Sequence, residues 1–235
     1  MAGNVVEVRK YYAPKYEKKN EKRKRRVHPS EEAVKKANLR KAERDLRRLM
    51  NNNFSKKSWS ITLTFKEPPT LEEIQKEVAK YTRRLRNIAK RKNEQVKYIY
   101  VYGIGERRRH AHMIIDGLTA EEITGAWTQG HVQFTKIYSE NLRKLAAYFI
   151  KNAEDSRLHM TKEGIKPGRR WNGSRNLKKP VTSKKIIPAK TFKTDITVPR
   201  GYVMDEDAVF EGISVYTGLP FFEYALIKKE GARCG

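Results

Sequence analysis

Between Trp59 and Thr135 the spacing of apolar residues switches between two and about three and a half, and the order of the switches leaves few folds open. The stretch "WSITLTF", residues 59–65, puts Ile61, Leu63 and Phe65 on one face and Ser60, Thr62 and Thr64 on the other. That alternation marks a half-buried strand. Pro68-Pro69 breaks the chain, and Thr70 with Glu73 supplies a capping box. Ile74, Val78, Tyr81, Leu85 and Ile88 then recur at steps of four, three, four and three, which predicts a helix with one apolar stripe. "VKYIYVYGIGERRRHAHMIID" returns to a period of two and reads as a hairpin whose turn is marked by Gly103 and Gly105. In its first strand Ile99 and Val101 oppose Tyr98, Tyr100 and Tyr102; in its second, Ala111, Met113 and Ile115 oppose His110, His112 and Ile114. A second capping box, Thr119 with Glu122, opens a short helix through Trp127, "HVQFTK" reads as a strand, and Ser139 caps the helix "ENLRKLAAYFIKN".

This order predicts an α+β fold: an antiparallel sheet of four to five strands, with two helices packed on one face and a ferredoxin/RRM-like strand order. The histidine strand then lies between its hairpin partner and "WSITLTF". Around this core, residues 1–28, with the run Lys22-Arg23-Lys24-Arg25-Arg26, read as a basic mobile arm. Pro29-Ser30 opens a leading helix, which gives a central domain over 29–155. Residues 156–235 are basic and punctuated by Gly and Pro, and read as an extension packed on or trailing that domain.

The chain carries 52 Lys+Arg against 27 Asp+Glu, a net charge of +25, and such an excess calls for a polyanionic partner, nucleic acid first. A membrane role is excluded on two grounds: no run of 18 apolar residues exists, and no segment pairs a basic face with a wide apolar one. The absence of an apolar signal core and a single cysteine, Cys234, suit a cytoplasmic protein.

With the apolar strand faces turned toward the helices, the open face of the sheet gathers Ser60, Thr62, Thr64, the three tyrosines, His110, His112, His131 and Gln133. Strand geometry sets His110 and His112 side by side about 7 Å apart along the backbone, where two imidazoles can converge on one divalent metal. In the last helix Leu142, Leu145, Ala146 and Phe149 form the apolar stripe, while Tyr148 stands on the polar side with Lys144 and Lys151 one turn to either side. Flanking lysines lower the energy of a phenolate and neutralise phosphate. A metal that polarises a phosphodiester and a tyrosine placed to attack phosphorus together suggest covalent joining of the protein to DNA.

Three motifs in this order resemble those of the HUH-type rolling-circle replication initiator endonucleases, in particular the single-tyrosine replication-associated proteins of bacterial phages and plasmids. "WSITLTF" resembles the first, "RHAHMII" the His-hydrophobe-His second and "YFIKN" the Tyr-x-x-Lys third; "NNNF" and "RRWNGSRNLKKP" resemble their flanks. The resemblance implies an HUH endonuclease fold and a metal-dependent nickase and strand-transferase. In it His110 and His112 hold Mg2+ or Mn2+, Tyr148 forms a 5′-phosphotyrosine and leaves a 3′-hydroxyl, and Lys151 helps position water or the leaving group. The family's third ligand is usually a Glu on the strand before the turn; here the nearest acid is Glu106, in the turn itself. Arg107, Arg108, Arg109 and Lys144 are expected on DNA phosphates, and Tyr100 and Tyr102 on bases. The expected partners are single-stranded or hairpin origin DNA and a host helicase, since the chain has no P-loop; no small-molecule cofactor is expected. Two other readings keep part of the pattern: a non-catalytic RRM-like binder of single-stranded nucleic acid, and an HUH transposase or relaxase.

Overall fold

The computed structural model describes residues 2–12, 29–105, 109–187, 191 and 193–229. Its elements run β1 (Val5–Tyr11), α1 (Glu31–Asn51), β2 (Trp59–Leu63), α2 (Leu71–Arg91), β3 (Lys97–Ile104), β4 (Arg109–Asp116), α3 (Ala120–Gly125), β5 (Val132–Thr135), α4 (Arg143–Lys162), β6 (Asn172–Gly173), β7 (Tyr202–Ile213) and β8 (Pro220–Lys228). The fold is α+β, with a five-stranded sheet ordered β5-β2-β4-β3-β6 and a three-stranded sheet ordered β1-β8-β7. All pairings between these strands are antiparallel, and β4 lies between β2 and β3 as the hairpin pattern predicts.

The helix starts follow the sequence signals. Ser30 Oγ accepts the amide of Ala33 to cap α1. Thr70 and Glu73 exchange the two hydrogen bonds of a capping box, at 3.2 and 2.7 Å, and Thr119 and Glu122 repeat it at 3.3 and 2.9 Å. The stripe of α2 closes on the sheet: Ile74, Val78, Tyr81 and Leu85 are wholly buried, each side chain contributing about 1.5–3 kcal/mol by leaving water. The last helix differs, since α4 begins at Arg143 without a side-chain cap of its own. Buried Asn51, at the end of α1, takes that role instead. Its Oδ1 accepts the amide of Leu142 at 2.8 Å and its Nδ2 donates to Asn141 Oδ1 at 3.0 Å.

Both faces of the five-stranded sheet are covered. Ile61, Leu63, Ala111, Met113, Ile115 and Tyr98 pack under α2 and α3, while Ile99, Val101 and Ile114 pack under α1 and α4. This corrects the expectation of two helices on one face and an open opposite face. Apolar alternation alone cannot tell which side of β3 is inside, because each side meets a helix layer.

The three-stranded sheet uses residues from both ends of the chain. Strand β1 lies within the segment read as a mobile arm and pairs along its whole length with β8; the rest of that segment, 13–28, lies outside the described residues. Helix α1 joins this sheet to the larger one. Glu7 on β1 takes hydrogen bonds from Arg47 and Arg48 at 2.6 and 2.7 Å. Burial pushes the Glu7 carboxyl up, but these two arginines hold it below the ordinary carboxylate range. Helix α4 runs to Lys162 and β6 joins the larger sheet, so the boundary drawn near residue 155 falls inside continuous structure.

Candidate active site

The site grows from one row of the sheet. His112 sits opposite Thr62 on β2 and Val101 on β3, and Thr62 sits opposite Gln133 on β5. Directly paired residues share a face, so His112, Thr62 and Gln133 project together, as expected. His110 lies one step along, opposite Gly103. That glycine is part of β3 rather than of the turn, and its bare backbone seats the imidazole: a Cβ there would lie 2.3 Å from His110 Nε2. The expected hairpin turn thus begins after Ile104.

The two imidazoles converge. Their Nε2 atoms are 2.9 Å apart and the rings meet edge to face. Helix α4 brings Tyr148 to the same point, with its hydroxyl 2.9 Å from His112 Nε2. On the far side of the ring His112 Nδ1 is 3.0 Å from Thr62 Oγ1. If Nδ1–H donates to Thr62, the Nε2 lone pair is left facing both Tyr148 and His110, and this tautomer satisfies all three contacts. His112 is buried, and burial, then the neighbouring His110, pulls its pKa down to about 4, partly opposed by the Asn152 side chain. It is therefore a neutral nitrogen donor at physiological pH.

Tyr148 is 47% exposed, open to a substrate from outside. Phe149 and Ile150 beside it are buried and fix the helix on the sheet. The face of α4 that carries Tyr148 continues through Asn152, Asp155 and His159, at steps of four, three and four. These last three, with His110, Gly103 and Lys162, line a cleft of about 520 Å³. The sequence reading missed this row, although its helical spacing from Tyr148 was there to be followed.

The other expected site residues are distributed unevenly. Glu106, Arg107 and Arg108 lie outside the described residues. Arg109 donates to the Pro69 carbonyl at 3.1 Å and lies 3.5 Å from Glu163. Lys144 is exposed and pairs with Asp207 at 2.9 Å. Lys151 is exposed on α4. Tyr100 and Tyr102 do not share the histidine face: they sit opposite Met113 and Ala111 and pack against the α2 core. This corrects their placement, and the residues of β3 that do flank the histidines are Gly103 and Val101. Burial raises the pKa of both tyrosines. Their hydroxyls had suggested an open surface, but tyrosine is amphipathic enough to form half of a core.

Residues 58–157 match the model of a replication-associated protein family, described by its ORF2 and gene 2 proteins. The matched segment runs from the start of β2 into α4 and contains His110, His112 and Tyr148. The match is consistent with a replication initiator. No curated protein and no solved structure matches the chain. No helix among the described residues is long and apolar enough to cross a membrane.

The donors at the centre of this replication-associated segment suit a metal in part. Two Nε2 atoms at 2.9 Å, one of them oriented from behind by Thr62, fit a shared cation. Among the described residues no group of three or more His, Cys, Asp or Glu converges. The side chain nearest to completing the pair is Asn152, which interacts with His112 from α4.

Proposed function

We propose that this protein initiates DNA replication by nicking and rejoining single-stranded origin DNA through a covalent bond to Tyr148. The observation that carries the reading is the meeting of three groups, the Tyr148 hydroxyl and two histidine nitrogens, within 2.9 Å steps in a segment matched to a replication-associated family. His110 and His112 would hold Mg2+ or Mn2+, with the Asn152 side-chain oxygen as third protein donor, and the ion would polarise the phosphodiester. Tyr148 loses its phenolic proton to water as its oxygen bonds to phosphorus. The bond from phosphorus to the 3′ oxygen breaks, and that oxygen leaves as a hydroxyl after taking up a proton. The product is a 5′-phosphotyrosine, which conserves the bond so that a 3′-hydroxyl can reverse the step. Lys151, one turn beyond Tyr148, supplies positive charge to the incoming backbone. Unwinding of the origin falls to a host helicase.

Two observations weigh against an RRM-like binder. Such a module stacks bases on aromatics of an open sheet face. Here the tyrosines lie under α2, and the histidine face lies under α4. The family description favours replication over transposition or conjugation.

The test is incubation with single-stranded origin DNA and Mn2+ followed by a denaturing gel. A covalent adduct should form, disappear in Tyr148→Phe and weaken in His110→Ala and His112→Ala. Binding without any adduct on every segment of the origin would sink the proposal.

A further inference from the structure

A second cleft, of about 150 Å³, lies between α1 and the three-stranded sheet, apart from the His–Tyr centre. Six arginines line it: Arg9 from β1, Arg40, Arg44, Arg47 and Arg48 from α1, and Arg143 from the first turn of α4. Only three carboxylates join them, Glu7, Glu43 and Glu223. Glu7 is saturated by Arg47 and Arg48, and Glu223 lies between Arg9 at 2.9 Å and Arg44 at 3.2 Å. Arg40 and Arg143 have no carboxylate within 4.0 Å among the described residues. Arg40 instead stacks on Phe210, its guanidinium 5.1 Å from the ring centre, and Arg9 stacks on Phe221 at 4.8 Å. Stacking holds a guanidinium plane in place and leaves its edge donors available. One such donor is unsatisfied: the buried Arg9 Nε faces Glu223 but lies off the line of a hydrogen bond.

The cleft therefore has surplus positive charge, a buried donor without an acceptor and planar forks held on aromatic rings. An oxyanion with several acceptors answers all three. The volume is below that of ordinary small-molecule pockets, so a phosphate group fits and a whole nucleotide does not. Position selects between a free phosphate and a phosphate of a chain. Arg143 precedes Tyr148 by five residues on one helix, about 7.5 Å along the axis. Successive phosphates of one DNA strand advance by about 3.4 Å along the duplex, so a backbone seated at Tyr148 passes within reach of Arg143.

We propose that this cleft grips a backbone phosphate of DNA outside the nick, making a second DNA contact from Arg9, Arg40 and Arg143. The inference rests on the reading of this chain as a DNA-acting protein, and not on the chemistry of Tyr148.

The test uses full-length protein carrying Tyr148→Phe, so that no adduct forms, and reads binding to a fluorescent duplex by anisotropy across NaCl concentrations. With Arg40→Gln/Arg143→Gln the slope of log affinity against log salt should become shallower by about 1, the loss of one phosphate contact. Lys76→Gln/Lys90→Gln, on α2 across the main sheet, should leave the slope unchanged. A slope as steep in the arginine pair as in the lysine pair overturns the proposal. If the arginine pair fails to fold, phenylglyoxal labelling of the protein without arginine substitutions decides: duplex DNA should protect Arg40 and Arg143, and equal labelling with and without DNA overturns it. A third arm compares thermal unfolding in phosphate and in chloride at equal ionic strength. A phosphate-specific rise in Tm that the arginine pair lacks, with no change in its DNA slope, would assign the cleft to free phosphate and overturn the DNA assignment.

Discussion

Replacing Gly103 by alanine should separate the catalytic geometry from the stability of the fold. The ring of His110 lies where a side chain at position 103 would be: an added Cβ falls 2.3, 2.6 and 2.7 Å from Nε2, Cε1 and Cδ2. Ordinary contact between such atoms is about 3.5 Å, so the ring must withdraw by roughly 1 Å. The strand itself has no reason to object. Alanine in a β-strand removes the entropic cost of glycine, about 0.5–1 kcal/mol in the direction of stability. The 2.9 Å approach of His110 Nε2 to His112 Nε2 is lost instead. A misplacement of about 1 Å in a catalytic group lowers a rate by about 100-fold. The expected outcome of Gly103→Ala is a Tm within a few degrees of the unaltered protein, Mn2+ binding weakened in calorimetry and adduct formation slowed by about two orders of magnitude. Adduct formation at the unaltered rate, with unaltered Mn2+ affinity, would refute the argument that the bare backbone at 103 seats the imidazole.

Three other perturbations read separate parts of the account. Asn51→Ala removes the acceptor for the Leu142 amide at the start of the tyrosine helix and should cost about 1–3 kcal/mol in urea unfolding, with faster amide exchange in the first turn of α4. Thr62→Val removes the partner of His112 Nδ1 and should weaken Mn2+ binding by about 10–100-fold, while the protein stays folded. The depressed pKa of His112 makes stability fall in acid. Its folded value, about 4, lies below the ordinary 6.5, so the full contribution is present above pH 6.5 and is lost as pH drops toward 4. At about 1.4 kcal/mol per pH unit, the whole effect is about 3 kcal/mol. Unfolding free energies measured between pH 7 and 4 should show that loss, and His112→Gln should flatten it.

Much of this arrangement is legible in the sequence because it rests on local rules. Capping boxes at Thr70 and Thr119 and the stripe of α2 announce their helices through spacing alone. Alternation in β4 puts His110 and His112 on one face, and the polar position of Tyr148 on α4 sets it apart from the buried stripe. The faces of β3 are not legible. Ile99 and Val101 look like the inside and the tyrosines like the outside only if one face of the sheet is open, and here α1 and α4 close the second face. The role of Gly103 is hidden for a related reason: a glycine beside a turn reads as part of the turn, and only the register of β3 against β4 shows that it faces His110. Three consecutive asparagines read as no more than a helix end. Their long-range partners are Leu142 and Asn141 for Asn51, and the backbone of Lys178 for Asn52 and Asn53. No local pattern encodes those contacts. Nor does one encode the pairing of β1 with β8, which joins opposite ends of the chain.

The central claim is that Tyr148 becomes covalently joined to DNA, and mass spectrometry tests it most directly. After reaction with single-stranded origin DNA and Mn2+, nuclease trimming and proteolysis, the peptide containing Tyr148 should carry a nucleotide linked through its 5′ phosphate. A nucleotide attached to a different residue, or bound DNA with every tyrosine unmodified, would contradict the account.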